Sequence, residues 1–589
     1  MVVEGEWLSW GTARKRAEFH TAPLRPGHRR EWTPEGSKDV LYPISNKLLR
    51  GPLLENPGKN LTLTHVWPNP AGLSDFQNIA CGVRECVAKI PWRFVTAVAA
   101  GAVALGYYLS WWFAAGRLAS PGLALLLAVA LAFVTAQLLG HWLLYLVART
   151  RTTAPRQQHS LSVDVFVTAC GEPPAMVERA LRAAVALEGE HCTYLLDDGH
   201  NPASAQLCER FGAHYRTRGD NAGAKAGNLN AALPCTGGDI VVTFDIDHVP
   251  QPDFLSHTVH HFADPTVGFV QVMLTFSNQD ESWVARAAAE TSLDFYNPTS
   301  FGMDALRSAT LMGSNALIRR TALKGIGGYQ LGLAEDLATS LALHAAGWRS
   351  VYVAQPLAPG LAPANLAAWY TQQLKWARGV FEILLTAFPR AIARLDWGER
   401  LAYTVRMTKY WIGPAVFLHL AMSAGALLFA SAPTRAAVQD YMVHLVPLMI
   451  GDLLIRREAI RLWRHASVPA VVPLRAIALV YATWPIYTLA WIMALVRIPL
   501  GFRPTPKAPS GSLNPVWLLP QTIACVALLV GAVITLTSTS GMSAHLLLGF
   551  AAFQMGLQLW PIGLWASWQT SQGRQQANEA SRRGQAADV

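Results

Sequence analysis

Five short clusters in this chain hold side chains that could do chemistry together. Asp245-Ile246-Asp247-His248 sets two carboxylates one residue apart, with an imidazole beside them. Such a pair suits a hard divalent cation, Mg2+ or Mn2+, which commonly takes one or two carboxylates together with substrate phosphates. A cation held there stabilises the charge that develops on a departing diphosphate. Taken alone, the pair reads equally as a solvated turn. Asp197-Asp198-Gly199 is a plain β-turn by composition, or a carboxylate acceptor for a base or ribose. Lys225, within Ala224-Lys225-Ala226-Gly227-Asn228, is a surface lysine or a phosphate partner. Glu335-Asp336 opens a helical pattern carried by Leu337, Leu341 and Leu343, so N-terminal dipole complementation competes with an acid–base role. Gln372-Gln373-Leu374-Lys375-Trp376 lies on an amphipathic stretch and offers a cation and an indole platform, or simply an interfacial surface.

These clusters need elements to bring them together. Residues 163–168 form a short apolar run, followed by Pro173, Pro174 and helical spacing through Leu187. Residues 193–196 run straight into Asp197. Residues 240–244 are continuously apolar, as in a buried parallel strand, and end at Asp245. Strands alternating with helices predict a doubly wound α/β sheet, which binds ligands beyond the carboxyl ends of its strands. Both acidic clusters fall at such ends.

The surroundings are membrane-like. Hydrophobic residues make up 52% of the 589 and charged residues 15%, against about 25% in soluble domains, which argues against a wholly soluble chain and excludes a disordered, collagen-like or coiled-coil one. A bilayer core takes about 20 apolar residues. Segments 94–115, 123–148, 410–431, 437–455, 516–537 and 545–568 qualify, the fourth weakened by Asp452. Arginines and lysines flank these pairs on one side, including Arg93, Arg149, Arg456, Arg457 and Arg574. The positive-inside bias therefore places the middle block and both termini in the cytoplasm. Segment 470–496, broken by Pro473, Arg475 and Pro485, reads as an interfacial helix, because a seventh crossing would strand the basic residues after it outside.

The layout is thus a cytosolic segment 1–93, spans within 94–148, a cytosolic block 149–409 with an interface helix at 365–388, and spans within 410–456. An interfacial region 457–515, spans within 516–568 and a basic tail 569–589 follow. The net charge of +10 follows this flanking pattern, so no nucleic-acid partner is expected. Seven scattered cysteines with no C-x-x-C pair fit a reduced compartment rather than a disulfide or zinc framework. No signal peptide is expected at the start, where Glu4, Glu6, Arg14, Lys15 and Arg16 fall.

The order of the clusters is more specific than any one of them. DDG, KAGN, DxDH, Gly327-Gly328-Tyr329, ED and QxxKW follow one another, the first and last about 180 residues apart, between apolar segments. In this the chain resembles the processive family-2 glycosyltransferases of the bacterial cellulose synthase type, from about Asp164 to Lys507 and onward through the last spans. The resemblance implies a glycosyltransferase A domain, a doubly wound mixed α/β sheet, inserted in a multi-span helical membrane domain of the plasma membrane. It implies a UDP-sugar donor, UDP-glucose first, and Mg2+ or Mn2+ as cofactor. Asp197 and Asp198 would contact the uridine, and Lys225 would lie near the nucleotide. Asp245 and Asp247 would hold metal and diphosphate, with His248 beside them. Asp336 would be the general base and Glu335 its neighbour on the acceptor side. Gln372 and Trp376 would meet the acceptor sugar, and Lys375 the diphosphate. Phe502, Thr505 and Lys507 match the gating loop.

An α-linked donor giving a β-linked product requires one inverting displacement and one base. The remaining partners implied are a growing glycan, the lipid bilayer, and accessory export subunits or a second copy of the chain. Several positions depart from the family pattern. Lys375 replaces an arginine, Ala334 a threonine, Pro504 a valine, and Thr310-Leu311-Met312-Gly313 an F-F-C-G. A β-1,3 or mixed linkage, another sugar, or single transfers to a lipid stay open.

Overall fold

The structure, a computed structural model, describes residues 90–114, 121–149, 161–429, 438–466, 473–501, 513–538, 545, 548–564 and 566–567. Phe502, Thr505 and Lys507, most of segment 1–93 and the tail 569–589 lie outside the described residues.

The middle block is built on a seven-stranded sheet. Its strands are β1 (Val163–Ala169), β2 (Cys192–Asp197), β3 (His214–Arg216), β4 (Ile240–Asp245), β5 (Val267–Val272), β6 (Ala316–Arg319) and β7 (Arg349–Val353), in the order β3-β2-β1-β4-β6-β5-β7. β1 pairs parallel with β2 and β4, whereas β6 runs antiparallel between β4 and β5, so the sheet is mixed.

Helices cover both faces, and the strand period of two assigns side chains to each. Val165, Val167, Val242 and Phe244 pack on one face against Val177 and Leu181 of the helix Pro174–Val185. Phe166, Val241 and Phe269 pack on the other, against Leu229 of the helix Ala224–Ala232 and Leu343. Each such fully buried side chain contributes about 1.5–3 kcal/mol, which is why the central strands are apolar throughout. The register sets Ala169 opposite Asp197 and Thr168 opposite Asp245. Both acidic strand ends therefore reach the same edge of the sheet, one on each side of β1.

Among the described residues four helices are long and apolar enough to cross a bilayer: Trp92–Trp112, Leu125–Val147, Trp397–Leu428 and Pro515–Thr537. A fifth candidate is the pair Leu474–Ala482 and Trp484–Leu495, bent by 48°. The bend falls where Pro485, in the first turn of the second helix, has no N–H to give. This is the segment expected to lie in the interface. The helix Val438–Trp463 runs beyond the expected 437–455 span and carries Asp440, Asp452 and Arg456. Its charges have partners: the Trp111 indole donates to Asp440 at 2.7 Å, the Trp142 indole to Asp452 at 3.0 Å, and Arg456 pairs with Asp452 at 2.8 Å. Ionisable groups at membrane depth are expected to be paired inside the bundle in this way.

Candidate active site

A cavity of about 510 Å³ opens beyond the carboxyl ends of the strands. Asp198 lies in its wall beside the end of β2. Arg218 clamps this carboxylate with both arms, Nε at 2.7 Å and Nη2 at 2.6 Å, and its remaining N–H groups donate to the Ala222 and Ala224 carbonyls at 2.6 and 2.9 Å. One guanidinium thus fixes the acidic turn and the loop leading to Lys225. Asp197, the other half of the pair, does not line the cavity. Its carboxylate accepts the Gly199 and Asn201 N–H groups at 2.8 and 3.0 Å and the Tyr215 hydroxyl at 3.0 Å.

Asp245 and Asp247 line the cavity, and His248 lies behind them. One ligand atom from each of the three falls within 4.8 Å of the others. Among the described residues neither buried His248 ring nitrogen has a hydrogen-bond partner, although Nδ1 lies 3.7 Å from Asp247 Oδ1. The two hard carboxylate oxygens fit Mn2+ or Mg2+, with the imidazole beside them. Lys225 reaches the same place, pairing with Asp245 and donating to the Gly313 carbonyl at 2.6 Å. Burial pulls the Lys225 pKa down, but Asp245 and then Glu335 outweigh it and the ammonium is held above its ordinary range.

The opposite wall begins with Glu335 and Asp336, in the first turn of the helix Glu335–Ala345. The Leu337 N–H donates to Asp336 Oδ1 at 2.7 Å, and the Ser340 hydroxyl to the Asp336 carbonyl at 2.7 Å. Burial raises both carboxyl pKa values. The charge of Asp336 adds to it at Glu335, which reaches about 7, whereas Arg406 and Lys225 oppose it at Asp336. Gly313 faces both acids. A Cβ there would sit 3.7 Å from Asp336 Oδ2, 3.8 Å from Lys225 Nζ and 4.0 Å from Glu335 Oε1, on a backbone at φ +83°. The glycine leaves open the space that these three charges surround.

The last wall comes from the helix Leu366–Leu385, capped by Asn365, whose side chain accepts the Ala368 N–H at 2.9 Å. Gln372, Lys375 and Trp376 stand at i, i+3 and i+4, one face of a helix, and all three line the cavity. The rest of the helix is bolted to the bent pair. The Tyr487 hydroxyl donates to Gln373 at 2.9 Å and the Trp369 indole to Thr483 at 2.8 Å. At Gly379 a Cβ would lie 2.7 Å from the Ala334 nitrogen, so only glycine lets this helix approach the Glu335 turn so closely.

Nine of the predicted site residues therefore share one cavity: Asp198, Lys225, Asp245, Asp247, Glu335, Asp336, Gln372, Lys375 and Trp376. Asp197 and His248 support it from behind. Arg218 and Arg406 fall in none of the sequence clusters; Arg218 is marked by its bonds to Asp198, and Arg406 by its contact with Met312 in the cavity wall.

Residues 240–502 match the family described as Glycosyl transferase family group 2. The chain is 31% identical over 314 residues to the cellulose synthase catalytic subunit (UDP-forming) of Pseudomonas fluorescens, covering 52% of this chain and 42% of that protein. It is 35% identical over 303 residues to the corresponding subunit of Xanthomonas axonopodis pv. citri, covering 50% and 41%. The chain thus spans less than half the length of these curated relatives. Among solved structures, a mannosyltransferase from Pyrobaculum calidifontis in complex with GDP-Man and Mn2+ is similar at a TM-score of 0.46 and 18% identity, over 64% of this chain and 99% of that one. Over residues 240–502 the chain is similar to the group-2 glycosyl transferases, and over about half its length to the catalytic subunits of bacterial cellulose synthases.

Proposed function

We infer that the protein is an inverting, divalent-cation-dependent glycosyltransferase that elongates a β-linked glucan from a UDP-sugar, UDP-glucose first, and passes the product through its own membrane helices. The observation that carries this reading is the convergence of Asp245 and Asp247 with Glu335 and Asp336 around one cavity of about 510 Å³, within the size range of small-molecule sites.

Asp198, fixed by Arg218, offers a carboxylate at the nucleotide end. Asp245 and Asp247, with His248 behind, are the residues that would hold the cation, which supplies positive charge to the diphosphate when bound. Lys225 and Lys375 add charge of the same sign to the walls, favouring the anionic leaving group. Lys375 does so as a point charge, without the planar fork of an arginine. Asp336 takes the proton of the acceptor hydroxyl, and the partly exposed Trp376 indole gives the acceptor ring a face to lie on. In this reading the catalytic block and both termini face the cytoplasm of the cell membrane, six segments cross it, and accessory export subunits or a second copy complete the assembly.

The test is incubation of purified protein with a panel of labelled nucleotide sugars and Mg2+ or Mn2+, followed by linkage-specific glycanase digestion. A polymer made from UDP-glucose and cut by a β-glucanase is expected. Asp336→Asn should lower its formation by about 10²–10⁴-fold while UDP still binds. Transfer from no donor refutes the activity, products no longer than a disaccharide refute elongation, and near-normal synthesis by Asp336→Asn removes it as base.

A further inference from the structure

Asp245 and Asp247 are held in different ways. Asp247 is buried, with 1% of its side chain exposed, and its Oδ2 accepts the Leu361 N–H at 3.1 Å. Asp245 keeps 34% of its side chain exposed on the cavity, while its backbone N–H donates to the Ser314 hydroxyl at 3.0 Å. A cation arriving from the cavity therefore meets Asp245 first. That accessible carboxylate is the one that carries the Lys225 ammonium, on Oδ1, where the Thr168 hydroxyl also donates at 3.3 Å.

Lys225 is confined to this place. It stands in the first turn of the helix Ala224–Ala232, whose first carbonyl is held by Arg218 at 2.9 Å. Only 14% of its side chain is exposed, so the ammonium cannot relax into solvent. Its other acceptor is the Gly313 carbonyl at 2.6 Å. Beyond it lie the two acids of the opposite wall: the point where a Gly313 Cβ would sit is 3.8 Å from Lys225 Nζ, 4.0 Å from Glu335 Oε1 and 3.7 Å from Asp336 Oδ2. A dication taken up by Asp245 shares that carboxylate with a confined monocation, and the two like charges repel. The negative charges of a diphosphate offset this repulsion and give both cations a second acceptor.

We propose that Lys225 is a built-in counter-cation of Asp245 that makes divalent-cation binding depend on the donor: ammonium and dication compete for this carboxylate until a nucleoside diphosphate supplies charge for both. This rests on Asp245 and Asp247 being the ligands of the cation. Removing the ammonium then favours the metal and disfavours the diphosphate, two opposite signs at one site. A lysine that only shaped the cavity wall would weaken both ligands or neither. The cation accordingly loads with the nucleotide rather than ahead of it.

Two binding measurements on full-length protein in detergent test this without turnover. Mn2+ binding in the absence of nucleotide is followed by electron paramagnetic resonance, and binding of labelled UDP in EDTA by equilibrium dialysis. Lys225→Met, which removes the charge and keeps the length, should bind Mn2+ about fivefold more tightly than wild type and UDP about fivefold more weakly. Lys225→Arg, which keeps the charge, should lie closer to wild type in both. Added UDP should tighten Mn2+ binding less in Lys225→Met than in wild type. If Lys225→Met does not fold, Lys225→Gln still donates to the Gly313 carbonyl and should shift both affinities in the same directions. Mn2+ affinity that is unchanged or lower in the charge-free variant overturns the proposal. Mn2+ binding that Asp247→Ala leaves intact overturns the cation site beneath it, so the two failures are told apart.

Discussion

Replacing Glu335 by glutamine should make the protein more stable, and only above a definite pH. The Glu335 pKa rises from 4.5 to about 7, first through burial and then through the charge of Asp336, after the attraction of Lys225 and Lys375 is included. A raised carboxyl pKa means that the folded chain binds the proton more readily than the unfolded chain, so stability falls as pH rises from 4.5 through 7. At 1.36 kcal/mol per pH unit the full cost above that window is roughly 3 kcal/mol. Glu335 keeps part of its surface on the cavity, where a higher effective dielectric weakens such effects, so about 1–2 kcal/mol is the realistic gain from Glu335→Gln. For a domain of this size that is roughly 3–6 °C in melting midpoint. Thermal melts of detergent-solubilised protein at pH 4.5, 6 and 8 measure it. The variant should match wild type at pH 4.5, gain part of the increment at pH 6 and all of it at pH 8. A gain that persists at pH 4.5, or a loss at pH 8, would refute the idea that a buried like-charged pair faces the cavity.

Two further substitutions separate binding from framework. Asp247→Ala should weaken Mn2+ binding, followed by electron paramagnetic resonance, by at least tenfold, and chelation of the cation should stop transfer by the wild type; undiminished metal binding would place the cation elsewhere. Asp197→Asn should lower the melting midpoint, because a buried carboxylate accepting three hydrogen bonds is replaced by a group that cannot accept them all, at about 1–3 kcal/mol, while the KM for donor stays within twofold. A raised KM at unchanged stability would instead put Asp197 in contact with the nucleotide.

The sequence revealed most clearly what is fixed by short-range spacing. β4 is buried on both faces, so residues 240–244 are continuously apolar and Asp245 marks where the strand meets the cavity. Gln372, Lys375 and Trp376 share a face by helical period alone. β3 and β6 have three and four residues, too few for a period to show, so the antiparallel insertion of β6 could not be read from pattern. Asp452 weakens the 437–455 span in sequence, because the indole that satisfies it, on Trp142, lies 310 residues away; Asp440 is met in the same way by Trp111, 329 residues away.

The same distinction explains which parts of the candidate site were hidden. A ligand set such as Asp245-x-Asp247 must come from one strand end, so its members are neighbours in sequence. A charge that tunes another acts through space and is free to come from any element that packs nearby. Arg218 lies 20 residues after the carboxylate it clamps, on the same βα unit, and an acidic turn followed by a basic loop is at least a local signal. Arg406 belongs to a helix leading into the membrane, and its contacts are a ring and a sulfur rather than an acid. Nothing in its neighbourhood of sequence distinguishes it from Arg400, which stacks on the exposed Trp397 ring. Only the fold separates them, because Arg406 faces Met312, and Met312 lines the cavity that Asp336 shares. A substitution at Met312 therefore changes both the packing of Arg406 and the wall of the cavity.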